Sequence, residues 1–155
     1  MFDYDQETLM EIRPYSKEDF DPCAAIFVSN IDKYFAEYEL AEFKTFLAYA
    51  ATSNTYYVVV DEGIVVACGG FEMFKGQLVL TWGMVRRDLQ GQGYGNALTL
   101  YRLEAIKALY NDVSVLIDTS QHTKGFYEKL GFVVQSVEKD GFEQGLDKYY
   151  MELKI

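Results

Sequence analysis

Between Gln77 and Gly95 the chain reads QLVLTWGMVRRDLQGQGYG, an apolar run, a pair of arginines and a glycine-rich loop. A helical pattern, NALTLYRLEAIKALY, follows at once. A strand that passes into a helix through Gln90, Gly91, Gln92, Gly93, Tyr94 and Gly95 leaves backbone N–H groups of the first helical turn without partners. Glycines there remove the Cβ atoms that would hold a ligand away from the backbone. The chemistry expected is anion binding, most often of a phosphate, at a helix N-terminus. Arg86 and Arg87, just ahead of the loop, add positive charge. Further on, Asp118 closes an apolar run and His122 is the only histidine, with a pKa suited to proton transfer near neutrality.

The elements that must position these groups follow from residue patterning. Residues 1–9 form an acidic lead-in, and Met10 to Tyr15 is a short strand closed by Pro14. Ser16 to Asp19 has capping-box character, and Asp21-Pro22 offers a second cap. Helices are expected from Pro22 to Tyr34 and from Glu37 to Ala51, the latter with Leu40, Phe43, Leu47 and Ala50 at helical spacing. Thr55 to Asp61, rich in β-branched and aromatic residues, is a strand. A turn at Asp61-Glu62-Gly63 leads to a strand from Ile64 to Phe74, and Lys75-Gly76 turns the chain into Gln77 to Val85. This antiparallel meander delivers the chain to the glycine loop. The helix after it carries Leu98, Tyr101, Ala105 and Leu109 on one stripe. VSVLID, ending at Asp118, is a further strand, and a short helix from Thr123 to Leu130 stops at Gly131. Phe132 to Glu138 is a strand, Lys139 to Gly145 a loop, and Asp147 to Ile155 a final alternating strand.

With 155 residues, half of them hydrophobic, and with 13 Tyr and 11 Phe, the sequence is that of one folded domain over residues 1–155 rather than a disordered chain. The net charge of −10 supplies no basic footprint for nucleic acid. No apolar run reaches the roughly 18–20 residues of a membrane span, and the N-terminus lacks the layout of a secretory signal. Cys23 and Cys68 stand in no metal-ligand spacing and read as reduced, packed thiols. A cytoplasmic location and no metal are therefore expected.

Three phosphate loops compete for the glycines. A kinase-like loop needs Lys-Ser/Thr after its last glycine, and Asn96-Ala97 stands there instead. The dinucleotide fingerprint is met by Gly91 and Gly93, with Asp118 near the place of a ribose-binding acid, but Asn96 replaces the third glycine and the preceding strands are antiparallel. The pattern Q/R-x-x-G-x-G/A is met in register by Gln90, Gly93 and Gly95. With GFYEKLGF, Gly125 to Phe132, and the order of elements, it resembles the GNAT superfamily of acyl-CoA-dependent N-acetyltransferases over Met10 to Ile155. The resemblance implies an α/β (α+β) fold: a three-layer α-β-α sandwich around a mixed, mostly antiparallel sheet of about seven strands with a splayed parallel pair.

It also implies acetyl-CoA as co-substrate and roles for individual residues. Met84 and Val85 would offer a backbone edge to the pantetheine arm, and Gly91 to Asn96 would offer N–H donors to the pyrophosphate, with Arg86 or Arg87 nearby. Ser120 stands where the family often has asparagine. Tyr127 matches the tyrosine expected to protonate the departing thiolate, a phenol's ordinary pKa of about 10 being close to that of an alkyl thiol. Glu72 lies where some members place a catalytic carboxylate, and Asp118, His122 or a water relay are alternatives. The expected reaction is acetyl transfer to a primary amine by direct attack in a ternary complex. Acids and aromatics on the N-terminal helices and late loops (Asp32, Tyr34, Phe35, Glu37, Tyr38, Glu39 and Glu42, then Phe142 and Glu143) suit a small cationic amine acceptor. A peptide or protein amine, or a non-catalytic acyl-CoA-binding module, are the other readings, and a homodimer is the candidate assembly.

Overall fold

A computed structural model of the chain describes residues 10–155. The acidic lead-in expected at residues 1–9 lies outside the described residues. Seven strands form one sheet: β1 Met10–Pro14, β2 Tyr56–Asp61, β3 Ile64–Phe74, β4 Gln77–Val85, β5 Ser114–Thr119, β6 Val133–Glu143 and β7 Leu146–Lys154. Their spatial order is β1-β2-β3-β4-β5-β7-β6. All neighbours are antiparallel except β4 and β5. The described residues also form four α-helices: α1 Phe20–Ser29, α2 Glu39–Ser53, α3 Tyr94–Leu109 and α4 Lys124–Lys129. This is the mixed sheet with one parallel pair that the motifs imply.

Alternation along the strands explains the layers. In β2 the ring of Tyr57 and the side chain of Val59 enter a core shared with Leu98, Leu103 and Ile106 of α3. Tyr56 and Val58, on the opposite face, enter a second core with Ile26 and Phe27 of α1 and Phe43 and Leu47 of α2. A strand apolar on both faces is thus covered on both, which is why TYYVVVD shows no polar–apolar alternation. Cys23 and Cys68 are free thiols, both buried on the α1/α2 side.

In β4 the alternation breaks. Leu78 and Leu80 face the α3 core, whereas Trp82 and Met84, of the same parity, face the α1/α2 core. The cause is a bulge: Gly70 of β3 pairs with Thr81 and Cys68 with Met84, so one strand spends an extra residue. Trp82 sits in the bulge at φ +43, and the Tyr56 hydroxyl donates to its carbonyl at 2.8 Å.

Three boundaries and one helix face differ from the sequence reading. The first helix begins at Phe20 and ends at Ser29, not Tyr34, because the Ser29 hydroxyl and the Asn30 amide both donate to the Ile26 carbonyl, and Asp32 turns left-handed at φ +76. The second runs two residues later than expected and stops where Asn54 turns left-handed at φ +58. The loop expected at Lys139 to Gly145 is largely strand: β6 continues to Glu143, the Asp140 carboxylate accepts the Gly145 N–H, and the Asp147 carboxylate accepts the Asp140 N–H. In α3 the buried face is Leu98, Thr99, Arg102, Leu103 and Ile106, while Leu109 of the expected stripe is exposed and Tyr101 is partly so.

Gly70 marks the tightest point of the sheet. A Cβ there would collide with the Thr55 carbonyl oxygen and come within 2.7 Å of Tyr56 Cα. Gly70→Ala is therefore expected to cost about 2–3 kcal/mol of stability in a urea melt, the scale of an overpacked core position. An unchanged midpoint would contradict the packing described.

Candidate active site

Strands β4 and β5 pair at only two positions, Leu78 with Val115 and Val79 with Leu116. Beyond them the strands part and border a cleft of about 550 Å³. Thr81 to Val85 form one wall, Ile117 to Ser120 the other, and Leu98, Thr99 and Arg102 of α3 the floor. Phe126 and Tyr127 of α4 close the inner side. Tyr34, Glu39, Glu42, Phe142 and Lys148 stand at the mouth toward the α1/α2 layer.

The end of β4 is clamped by a residue that sequence reasoning missed. Asn30, 1% exposed, donates its amide to the Val85 carbonyl at 2.9 Å. Gln90 donates to the Asn30 side-chain oxygen at 2.9 Å and to the same Val85 carbonyl at 3.3 Å. Gln90 thus ties the glycine loop to the strand end and to the cap of α1. The Arg86 N–H reaches back to Val66 of β3 at 2.9 Å, so by strand alternation the N–H of Val85 faces the gap.

In the glycine loop, Gly91 and Gly93 adopt φ +82 and +91 with nothing beside the position a Cβ would take. Only glycine holds that conformation without strain, and the free space beside it opens the loop backbone to a ligand. Gly91, Gly93, Tyr94, Gly95 and Asn96 line the cleft. Gln92 is exposed and stands outside its wall. The Tyr94 hydroxyl donates to the Asp61 carboxylate, which anchors the start of α3 to the β2–β3 turn and raises the phenol's pKa.

The two arginines do not bring their side chains to the cleft wall. Arg86 donates to Asp88 at 2.6 Å, an exposed pair that holds the aspartate below its ordinary pKa. Arg87 is exposed and lies over the Tyr34 ring at 5.7 Å. Met84 contributes a buried side chain to the α1/α2 core and its backbone to the cleft. Ser120, 3% exposed, lines the cleft while its hydroxyl accepts the His122 N–H at 3.2 Å.

Tyr127 is 7% exposed, borders the cleft, and packs edge-on against Phe126 and Phe132. Glu72 is not brought to the site: it is an exposed residue of β3, paired with Val79, and stands outside the cleft wall. Asp118 and His122 do border the cleft. Asp118 is an exposed residue of β5, and partial desolvation at the cleft raises its carboxyl above its ordinary pKa, against a smaller opposing pull from Lys148. Among the described residues there is no cluster of His, Cys, Asp and Glu with the makings of a metal site.

A glycine loop at a helix start, a parallel pair parted beside it and a tyrosine on the inner wall meet in one cleft. The family model of the acetyltransferase (GNAT) domain matches residues 12–155. The chain belongs to that family. The fold agrees with solved GNAT structures, which at such low identity speak to architecture alone. An N-acetyltransferase from Staphylococcus aureus Mu50 is 18% identical with a TM-score of 0.77, covering 94% of this chain and 98% of that one. The ribosomal-protein-alanine N-acetyltransferase from Brucella melitensis is 17% identical with a TM-score of 0.76, covering 94% and 99%. Arabidopsis thaliana Naa50, in complex with the bisubstrate analogue CoA-Ac-MVNAL, is 12% identical with a TM-score of 0.74, covering 95% and 99%. No curated protein sequence gave a significant match. The GNAT fold uses acetyl-CoA, and the open glycine backbone and parted strands of this cleft fit such a donor. No helix among the described residues is long and apolar enough to cross a membrane.

Asn30→Ala removes the buried clamp on Val85. It is expected to cost about 1–3 kcal/mol, the scale of an unsatisfied buried group, and to weaken CoA binding measured by calorimetry. Wild-type stability and affinity in this variant would show that Asn30 does not shape the cleft.

Proposed function

We propose that the chain transfers an acetyl group from acetyl-CoA to the primary amine of a small cationic molecule, by direct attack in a ternary complex. The observation that carries this reading is the parting of β4 and β5 directly beside the open glycine loop. The N–H groups of Gly91 to Asn96 hold the pyrophosphate, and the parted strand edges take up the amide groups of the pantetheine arm. The N–H of Val85 receives the charge that develops on the thioester oxygen.

The acceptor arrives as an ammonium and must lose two protons. Asp118 takes the first, directly or through water, and its raised pKa makes it a better acceptor than a fully solvated aspartate. The freed lone pair forms the N–C bond, and the C–S bond breaks. Tyr127 gives its hydroxyl proton to the sulfur, and the second ammonium proton restores the phenol. Amide, free CoA thiol and one solvent proton leave. Asp118 thus replaces Glu72 as the base.

The acceptor side is acidic and aromatic. Glu39, whose carboxylate accepts the Ala36 N–H at 2.9 Å and whose pKa is raised by burial, stands with Glu42 and Tyr34 at the mouth. The Tyr38 hydroxyl donates to the Phe142 carbonyl at 2.8 Å, so the β6–β7 hairpin is fastened to the segment ahead of α2. This strap across the mouth favours a small amine over an extended peptide.

A thiol-release assay with acetyl-CoA and a panel of polyamines, aminoglycosides and lysine peptides is expected to detect turnover with a small polycation. Binding of CoA with no acetylated amine would leave a non-catalytic module instead. Tyr127→Phe should lower kcat about 10²-fold or more with CoA affinity unchanged, and equal loss of both would assign Tyr127 to packing. In wild type the acid limb of the rate profile should fall above the ordinary carboxylate range, because the Asp118 carboxylate is the active form and its pKa is raised. Asp118→Asn should abolish that limb, and an unaltered profile would remove Asp118 from the mechanism.

A further inference from the structure

The floor of the cleft holds a cation that the account so far leaves unused. Arg102 is 1% exposed, and among the described residues no carboxylate forms an ion pair with it. Its Nη1 donates to the Gly70 carbonyl at 3.2 Å and its Nη2 to the Thr99 hydroxyl at 3.1 Å, while its buried Nε has no partner. An arginine cannot shed its proton to escape burial. Enclosing an uncompensated charge is costly, and an apolar side chain of similar volume is the more stable occupant of such a site. The fold nevertheless makes room for it. Gly83 and Gly69 leave bare backbone against the guanidinium, where a Cβ on Gly83 would stand 3.0 Å from both Nη atoms and one on Gly69 3.2 Å from Nη1.

The position narrows the use. Gly83 lies directly after the bulge residue Trp82 and two residues before Val85. The guanidinium therefore sits behind the strand segment that faces the thioester, on the α3 side of the sheet. The acceptor's acidic mouth is on the α1/α2 side, so an acceptor carboxylate is not its partner. With 1% of its surface exposed, Arg102 offers no face on which a carboxylated acyl chain can land. What reaches the cleft from this position is its field, undiminished by a counter-ion among the described residues and little screened by solvent.

We propose that Arg102 is a positioning residue for the transfer step, its buried charge behind Gly83 favouring negative charge on the thioester oxygen and then on the departing sulfur. This rests on the acyl-CoA reading of the same cleft. The role is electrostatic: the acetyl group moves as described above, and Arg102 neither gains nor loses a proton.

The test compares wild type with Arg102→Met, Arg102→Gln and Arg102→Lys. Free CoA bound to each protein is titrated and its thiolate followed by ultraviolet absorbance, and kcat, KM for acetyl-CoA and thermal midpoint are measured beside it. Besides Arg102, the ionisable groups sharing the cleft are Asp118, His122, Tyr34, Tyr94, Tyr127, Glu39, Glu42 and Lys148. They are common to all four proteins, so the difference between titrations isolates residue 102. In the Met and Gln variants the bound thiol should ionise at higher pH by about one unit, and kcat should fall about 10–100-fold. KM should stay within about threefold and the thermal midpoint should hold or rise. The Lys variant should recover much of both effects. Arg102→Gln keeps donors for Gly70 and Thr99 without the charge, and gives the same reading if the Met variant does not fold. An unchanged thiol titration overturns the proposal. So does a loss of kcat that merely follows a lowered midpoint, or a loss confined to succinyl-CoA, which would make the cation a reader of the acyl group. Wild type that binds CoA but acetylates no amine would sink the transfer reading, while the thiol titration would still decide whether the charge acts on sulfur.

Discussion

Parallel strands β4 and β5 hold together for two residue pairs and then separate. Main-chain groups in the middle of a sheet cannot be left without partners at low cost, so the parted segment must either be filled or be held open by other bonds. Much of the structure around it does the holding. The bulge at Trp82 turns the strand away from β5, and the Tyr56 hydroxyl secures the bulge carbonyl. Asn30 and Gln90 take the Val85 carbonyl from the side of α1 and the loop. Tyr94, bonded to Asp61, fixes the start of α3 so that the glycine backbone stays at one end of the gap. The cleft is what remains when these four attachments are satisfied.

The sheet also divides the electrostatics. On the α1/α2 side lie the carboxylates of Glu39 and Glu42, and on the α3 side lies the guanidinium of Arg102, which has no ion pair among the described residues. A net charge of −10 therefore says little about the site. The layer proposed to receive a cationic acceptor holds these carboxylates, and the layer behind the proposed thioester position is positive. Asp118 and Tyr127 line the cleft between the two, on β5 and α4, where the proposed transfer takes and gives protons.

The strands, the glycine loop and the GFYEKLGF segment were legible in the sequence because each is a local pattern: β-branched runs, glycines at positive φ, a helix stopped by Gly131. The end of α1 was not, since the residue that caps it, Asn30, answers to a carbonyl 55 positions away. The continuation of β6 through Gly141 depends on its partner β7 and on carboxylates that staple the hairpin. Arg102 hid within a helical stripe whose orientation only the sheet decides: it lies one turn from both Leu98 and Ile106, the two most buried apolar residues of α3. Glu72 was placed by likeness to relatives, but it falls in the exposed end of β3 with Met73 and Phe74.

The central claim is that the gap between β4 and β5, with its glycine loop, receives acyl-CoA. Backbone amide spectra of ¹⁵N-labelled protein, recorded as CoA is added, test it residue by residue. The account predicts saturable shifts centred on Gly91 to Asn96, Val85 and Asp118 to Ser120, the two edges and one end of the gap. Saturable binding that leaves those amides in place and moves others would contradict it.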